Sequence, residues 1–172
     1  MKIKKILHEI FEIVFPSIAI VAIFFVAFNF LIMPCTVAGN SMLPNLYDDD
    51  VCIGSRIGKH LKTNRFEVAV INVNDGEDKL IVKRIIGLPN ETIEYIDNKL
   101  YVDGVYCEEP FLGDVTTNDL KIELKDDEYF CLGDNRNISK DSRYYGAFTM
   151  NEIECVGIFV LFPSKEGSFG VK

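Results

Sequence analysis

Residues 13–33 read IVFPSIAIVAIFFVAFNFLIM, 21 positions without a charge. No other stretch of the chain constrains its fold as strongly. At ~1.5 Å per residue, 21 helical residues reach roughly 30 Å, the thickness of the hydrocarbon core of a bilayer. A core helix of a soluble domain is usually shorter and amphipathic, and a cleaved leader has an apolar run of only about 7–15 residues. A lipid anchor through Cys35 fits poorly, because Pro34 stands where a small residue should precede the cysteine. The run is therefore read as a retained transmembrane helix. Pro16 falls in its first turn, where a missing N–H does little harm.

The flanks set the orientation. Lys2, Lys4 and Lys5 precede the run, so the positive-inside rule keeps residues 1–12 cytoplasmic and sends residues 34–172 outward as one extracytoplasmic domain. The chain is expected in the cell membrane, crossing the lipid bilayer once. Its outer part carries 15 Lys and Arg against 24 Asp and Glu, a net charge of −9. Such an acidic domain without a basic stripe excludes nucleic acid as a partner. Five cysteines are scattered, odd in number and lack a CxxC pair, so no disulfide framework can be read. The outer part has one histidine, His60, in a polar loop and no ligand cluster, so neither a metal nor another cofactor is expected. Asp48, Asp49 and Asp50 read as a solvated turn, since calcium ligands alternate along a loop.

Beyond the run the chain reads as short strands, at 51–57, 66–73, 80–88, 129–132 and 154–162. Residues 92–107 read as strands joined by Asp97-Asn98 and Asp103-Gly104, dipeptides suited to tight hairpin turns. Residues 113–127 are polar and read as a loop. The fold class is mainly β: a compact antiparallel, barrel-like domain behind one N-terminal transmembrane helix.

Three stretches carry polar chemistry: AGNSMLPNL at 38–46, LIVKRIIGLP at 80–89 and GDNRNISKDSRYYG at 133–146. Each alone has a plain explanation, as a turn, an edge charge or a surface loop. The second is odd, because side chains alternate along a strand. Lys83 shares a face with Ile81 and Ile85, while Arg84 shares the other with Val82 and Ile86, so at least one charge sits among apolar groups. A serine hydroxyl is a weak nucleophile that needs a base, and imidazole is nearly absent here. A lysine serves if burial lowers its pKa from ~10.4, and three pKa units would need roughly 4 kcal/mol. A buried strand is thus a good place for a general base.

On these three stretches, in this order behind an anchor, the chain resembles the bacterial type I signal peptidases. GNSMLPNL is similar to their nucleophile motif, KRIIGLP to their lysine motif and GDNRNISKDSRYYG to their last box. The resemblance implies a serine endopeptidase that removes signal peptides from secretory preproteins after small residues at −1 and −3. It implies Ser41 as nucleophile and Lys83 as general base, Ser139 orienting the Lys83 amine, and an Asp141–Arg143 ion pair supporting that wall. The Ser41 N–H would be an oxyanion donor. Substrate would lie as a strand between residues 36–38 and 81–82, with Val37, Ala38, Met42, Leu46, Ile81 and Val82 lining its pockets. Two departures stand out. Gly39 occupies a place where some members carry a second hydroxyl donor, and Arg65-Phe66-Glu67 replaces a frequent Gly-Asp before the 66–73 strand.

Three rivals differ in testable ways. A self-cleaving SOS-type repressor would carry a DNA-binding domain and no transmembrane helix. A specialised peptidase for a narrow substrate set, such as pilin subunits, stays open. An inactive membrane-tethered binding module is disfavoured by the presence of Ser41, Lys83 and Asp141 together.

Overall fold

The computed structural model describes residues 2–61, 63–74, 76 and 78–165. Helix α1 spans Lys2–Leu31. Its Ile10–Leu31 stretch, 22 residues of mean hydropathy 2.5, is long and apolar enough to cross a membrane, and none of it is buried. Its polar interruptions are satisfied internally. Ser17 Oγ donates to the Ile13 carbonyl and Asn29 Nδ2 to the Phe25 carbonyl, each at 2.7 Å. Each donor is thus turned back onto the helix's own backbone. The side chains of Lys2, Lys4 and Lys5, on which the orientation rests, lie outside the described residues.

The helix differs from expectation at both ends. It begins at Lys2, which places Pro16 in its interior rather than its first turn. It stops at Leu31, and Ile32 and Met33 enter strand β1, Ile32–Thr36. Two causes act at that end. Pro34 disfavours the helical conformation for Met33. Pairing then claims both residues, with Ile32 opposite Ser55 and Met33 opposite Gly54.

The other strands follow as β2 Val51–Ser55, β3 Val68–Asn74, β4 Asp78–Gly87, β5 Thr92–Ile96, β6 Lys99–Val102 and β7 Val105–Cys107. The last four are β8 Leu120–Glu123, β9 Glu128–Leu132, β10 Phe148–Thr149 and β11 Ile153–Phe162. Two one-turn helices, α2 Gly58–Leu61 and α3 Ser142–Tyr145, complete the described elements. His60 therefore lies in a helical turn rather than a loop. A seven-stranded antiparallel sheet has the order β1-β2-β11-β3-β4-β9-β10, and a four-stranded one the order β7-β6-β5-β8.

Both expected hairpin turns are present. Asp97, Asn98, Asp103 and Gly104 all have positive φ, between 49° and 78°, as two-residue turns of matching twist require. The polar 113–127 segment, in contrast, is not all loop. β8 within it pairs antiparallel with β5, Thr92 opposite Glu123 and Tyr95 opposite Leu120. Only Leu120 and Ile122 are apolar there, and both pack on the core of the smaller sheet. An alternation of two residues amid charges is too short to identify from sequence.

Strand β3 shows how the core is divided. Val68 and Val70 enter one apolar cluster with Met42, Leu46 and Cys52. Ala69, Ile71 and Val73 enter the cluster on the opposite face, with Ile85, Cys131 and Ile153. A third cluster, around Ile86, Ile93, Tyr95 and Phe130, fills the space beside the smaller sheet. β4 thus runs between apolar layers, and the charges in its middle need partners.

Candidate active site

The serine sits on a short turn held from below. After β1 ends at Thr36 the chain bends at Gly39, whose φ of +84° favours glycine. The Gly39 N–H donates to Asp48 Oδ1 at 2.7 Å. Asp50 is fully buried and accepts from the Tyr47 N–H and from the N–H and hydroxyl of Ser164. The solvated turn expected at 48–50 therefore holds for Asp48 and Asp49 but not for Asp50, which bolts the turn to the end of the described chain. Met42 and Leu46, the apolar residues after Ser41, are wholly buried in the core. They anchor the turn and do not line the groove, which corrects the pocket role expected for them.

Lys83 reaches Ser41 from β4, with Nζ 2.8 Å from Oγ. Nζ also donates to the Val82 carbonyl at 2.7 Å. Lys83 is only 3% exposed. Burial lowers its pKa from 10.5 to about 8, against the opposing pull of the Asp141 and Asp134 carboxylates. A lysine of that pKa beside a hydroxyl has the geometry in which an amine can take a serine proton. Among the described residues no backbone or side-chain acceptor takes the Ser41 N–H.

The third stretch closes over this pair. Asp141, fully buried, caps α3 and accepts from Arg143 Nε and Nη2, each at 2.8 Å. Burial works to raise the Asp141 carboxyl, but Arg143 and the Gly133 N–H outweigh it and hold the group below the usual carboxylate range. The Ser139 hydroxyl is buried and helps hold the Asp141 carboxyl low, while among the described residues the Lys83 amine bonds to Ser41 and the Val82 carbonyl. The Ser139 side chain lies against Gly133, where a Cβ would collide with it and with the Ser41 carbonyl oxygen. That oxygen accepts from the Asn135 N–H at 3.0 Å.

A second layer of supports escaped the sequence reading. Arg84, the neighbour of Lys83, is fully buried and pairs with Asp134 through Nε at 2.8 Å and Nη2 at 2.6 Å. Its guanidinium stacks on Phe111, 4.0 Å from the ring centre. Asn45 donates to the same Asp134 carboxylate at 2.8 Å. One carboxylate therefore ties together the serine turn, the lysine strand and the closing loop. The signal was present as two adjacent charges in an apolar strand, of which only one could be the base.

Ser41 and Lys83 line a groove of about 500 Å³, whose lining also includes Val37, Ala38, Ile81 and Val82. It also includes Met33 and Cys35, which continue the period of two from Val37 back along β1, Val70 from β3, and Lys140 and Tyr145 from the closing segment. Two strand edges open onto it. Among the described residues β1 pairs only with β2, and β9 covers β4 only from Arg84 to Gly87, leaving the outer edge of residues 78–82 without a partner strand. No group of three or more His, Cys, Asp or Glu among the described residues is placed to hold a metal.

A mainly β domain behind one apolar helix, with a serine and a buried lysine lining one groove, has the form of a membrane-anchored serine hydrolase. Similar proteins narrow this class. A family model described as signal peptidase, peptidase S26, matches residues 8–162. Signal peptidase I of Bacillus amyloliquefaciens is 37% identical over 151 residues, covering 80% of each chain. Signal peptidase IB of Staphylococcus aureus (strain COL) is 32% identical over 185 aligned positions, covering 95% of this chain and 93% of the other. The crystal structure of a signal peptidase I from Enterococcus faecalis V583 matches with a TM-score of 0.51 at 34% identity, covering 55% of this chain and 96% of that one. The chain belongs to the signal peptidase, peptidase S26 family.

Proposed function

We propose that this chain removes N-terminal signal peptides from exported preproteins, with Ser41 as nucleophile and Lys83 as general base, cutting after small residues at −1 and −3. The observation that carries the reading is the 2.8 Å contact between Ser41 and a buried Lys83, both lining the groove. The substrate adds a strand between residues 36–38 and the open edge of 81–82, so main-chain hydrogen bonds hold it while the groove selects side chains.

With a pKa of about 8, roughly a tenth of the Lys83 amines are neutral at pH 7, against fewer than about one in a thousand for an unperturbed lysine. The neutral amine takes the Ser41 proton as Oγ attacks the scissile carbonyl. The Ser41 N–H is the oxyanion donor, worth about 3 kcal/mol for a preorganised group. As the tetrahedral species collapses, the Lys83 ammonium gives its proton to the leaving amine and is neutral again for water attack on the acyl-enzyme. Residues 1–12 remain cytoplasmic, α1 holds the chain in the membrane and the catalytic part faces outward, where signal peptides emerge.

The test is cleavage of a preprotein carrying an Ala-x-Ala site by the full chain in detergent across pH 6 to 10. Cleavage after the second alanine, with an acidic limb near pH 8 and no activity in Ser41→Ala or Lys83→Ala, is the expected result. Full activity in Lys83→Ala overturns the mechanism.

A further inference from the structure

The groove floor holds a nucleophile that the proposed reaction does not use. Cys35 lies on β1 two residues before Val37, half-buried, and its side-chain face packs on the core while the residue lines the groove. Directly opposite on β2 is Cys52, fully buried. Opposed residues of an antiparallel pair have Cα atoms about 4.5–5.5 Å apart. That lies within the roughly 4.4–6.8 Å a disulfide spans. Both cysteines are free. The neighbouring Cys52 thiol lowers the Cys35 pKa, against the opposing effect of burial, whereas Cys52, whose Sγ donates to the Asp50 carbonyl at 3.8 Å, is raised. Cys35 is therefore the member that becomes a thiolate, and Cys52 the one that holds the proton.

We propose that Cys35 is a covalent modification site on the floor of the groove, taking small-molecule disulfides, and that Cys52 resolves the adduct into an intrachain Cys35–Cys52 disulfide. In the first step the Cys35 thiolate attacks a disulfide RSSR, forming Cys35–S–S–R and releasing RS⁻. In the second, Cys52 loses its proton and attacks the Cys35 sulfur, forming the protein disulfide and releasing a second RS⁻. One disulfide is reduced to two thiols while two protein thiols are oxidised, so the electrons balance. Capping Cys35 removes the sulfur partnership that chiefly raises Cys52, which frees Cys52 to react. Cys52 is sealed from solvent and is reached only through its partner. An R group on Cys35 occupies the space a substrate strand needs, so the mixed disulfide blocks cleavage. This last consequence rests on the proposed peptidase reading, whereas the thiol chemistry does not.

Cys131 and Cys155 are also buried, and the remaining thiol, half-exposed Cys107, lies on β7 in the smaller sheet. A Cys107→Ser background removes that competing site. The full chain in detergent is treated with dithiobis(nitrobenzoate), and thionitrobenzoate release is read together with peptide masses. The Cys107→Ser protein should release two equivalents and yield a linked Cys35–Cys52 peptide pair. Adding Cys52→Ser should give one equivalent, a stable adduct on Cys35 and loss of preprotein cleavage relative to the same variant untreated, restored by dithiothreitol. Adding Cys35→Ser should abolish both the adduct and the linked peptides. Absence of label on Cys35, or a stable Cys35 adduct in the Cys107→Ser protein with no link to Cys52, overturns the proposal. Should no variant cleave preprotein before treatment, the peptidase reading falls while the label and linkage still decide this one.

Discussion

Replacing Lys83 with methionine should abolish activity and yet make the protein more stable at neutral pH. A fall in pKa from 10.5 to about 8 corresponds to about 3 kcal/mol of selective destabilisation of the charged amine in the folded state. At 3% exposure, solvent screens little of this. Methionine has similar length and no charge, so it avoids that cost. It also gives up the bonds to Ser41 and the Val82 carbonyl, a loss of about 1 kcal/mol, which leaves a net gain of about 2 kcal/mol. The pH dependence is specific. Below about pH 8 the amine is charged in both folded and unfolded chains, and the full cost applies. Between about 8 and 10.5 the unfolded chain binds more protons than the folded one, so wild-type stability rises with pH. Above 10.5 both states are neutral and the advantage of Lys83→Met is gone. Urea midpoints of the full chain in detergent, measured for both proteins from pH 6.5 to 11, read this directly. A Lys83→Met protein less stable at pH 7, or an advantage that does not shrink with pH, refutes the assignment of Lys83 as a base tuned by burial.

Two further outcomes follow from the supports of the site. Gly133→Ala puts a Cβ against the Ser139 side chain and 2.5 Å from the Ser41 carbonyl oxygen, so the closing loop must move away from the serine. Displacing a reacting group by about 1 Å costs on the order of 10²-fold, so kcat for preprotein cleavage should fall by about that factor while near-UV circular dichroism still reports a folded domain. Arg84→Met strips Asp134 of its bidentate partner and leaves a buried charge, which should lower stability by about 3–5 kcal/mol in urea. The paired change Arg84→Met with Asp134→Leu should cost clearly less, because no lone charge remains.

Local pattern determined a good deal of this protein. The uncharged run already specifies a membrane-length helix, because no other structure satisfies an isolated backbone in lipid. Asp97-Asn98 and Asp103-Gly104 announce their hairpins because few residues tolerate positive φ. The period of two in β4 makes Lys83 conspicuous, while the pairing of Asp141 with Arg143 is implied only by the family resemblance. Tertiary structure decided the rest, since the rest depends on residues distant in sequence. Whether Ile32 and Met33 end a helix or begin a strand depends on Ser55 and Gly54 across the sheet. β8 exists because β5 offers an edge to its two apolar residues. The family resemblance implies Met42 and Leu46 as pocket residues, but the turn's direction sends them into the core. Arg84 reads as a stray charge until Asp134, 50 positions later, arrives beside it. Cys35 and Cys52 are isolated cysteines on paper, and only the register of two strands makes them face each other.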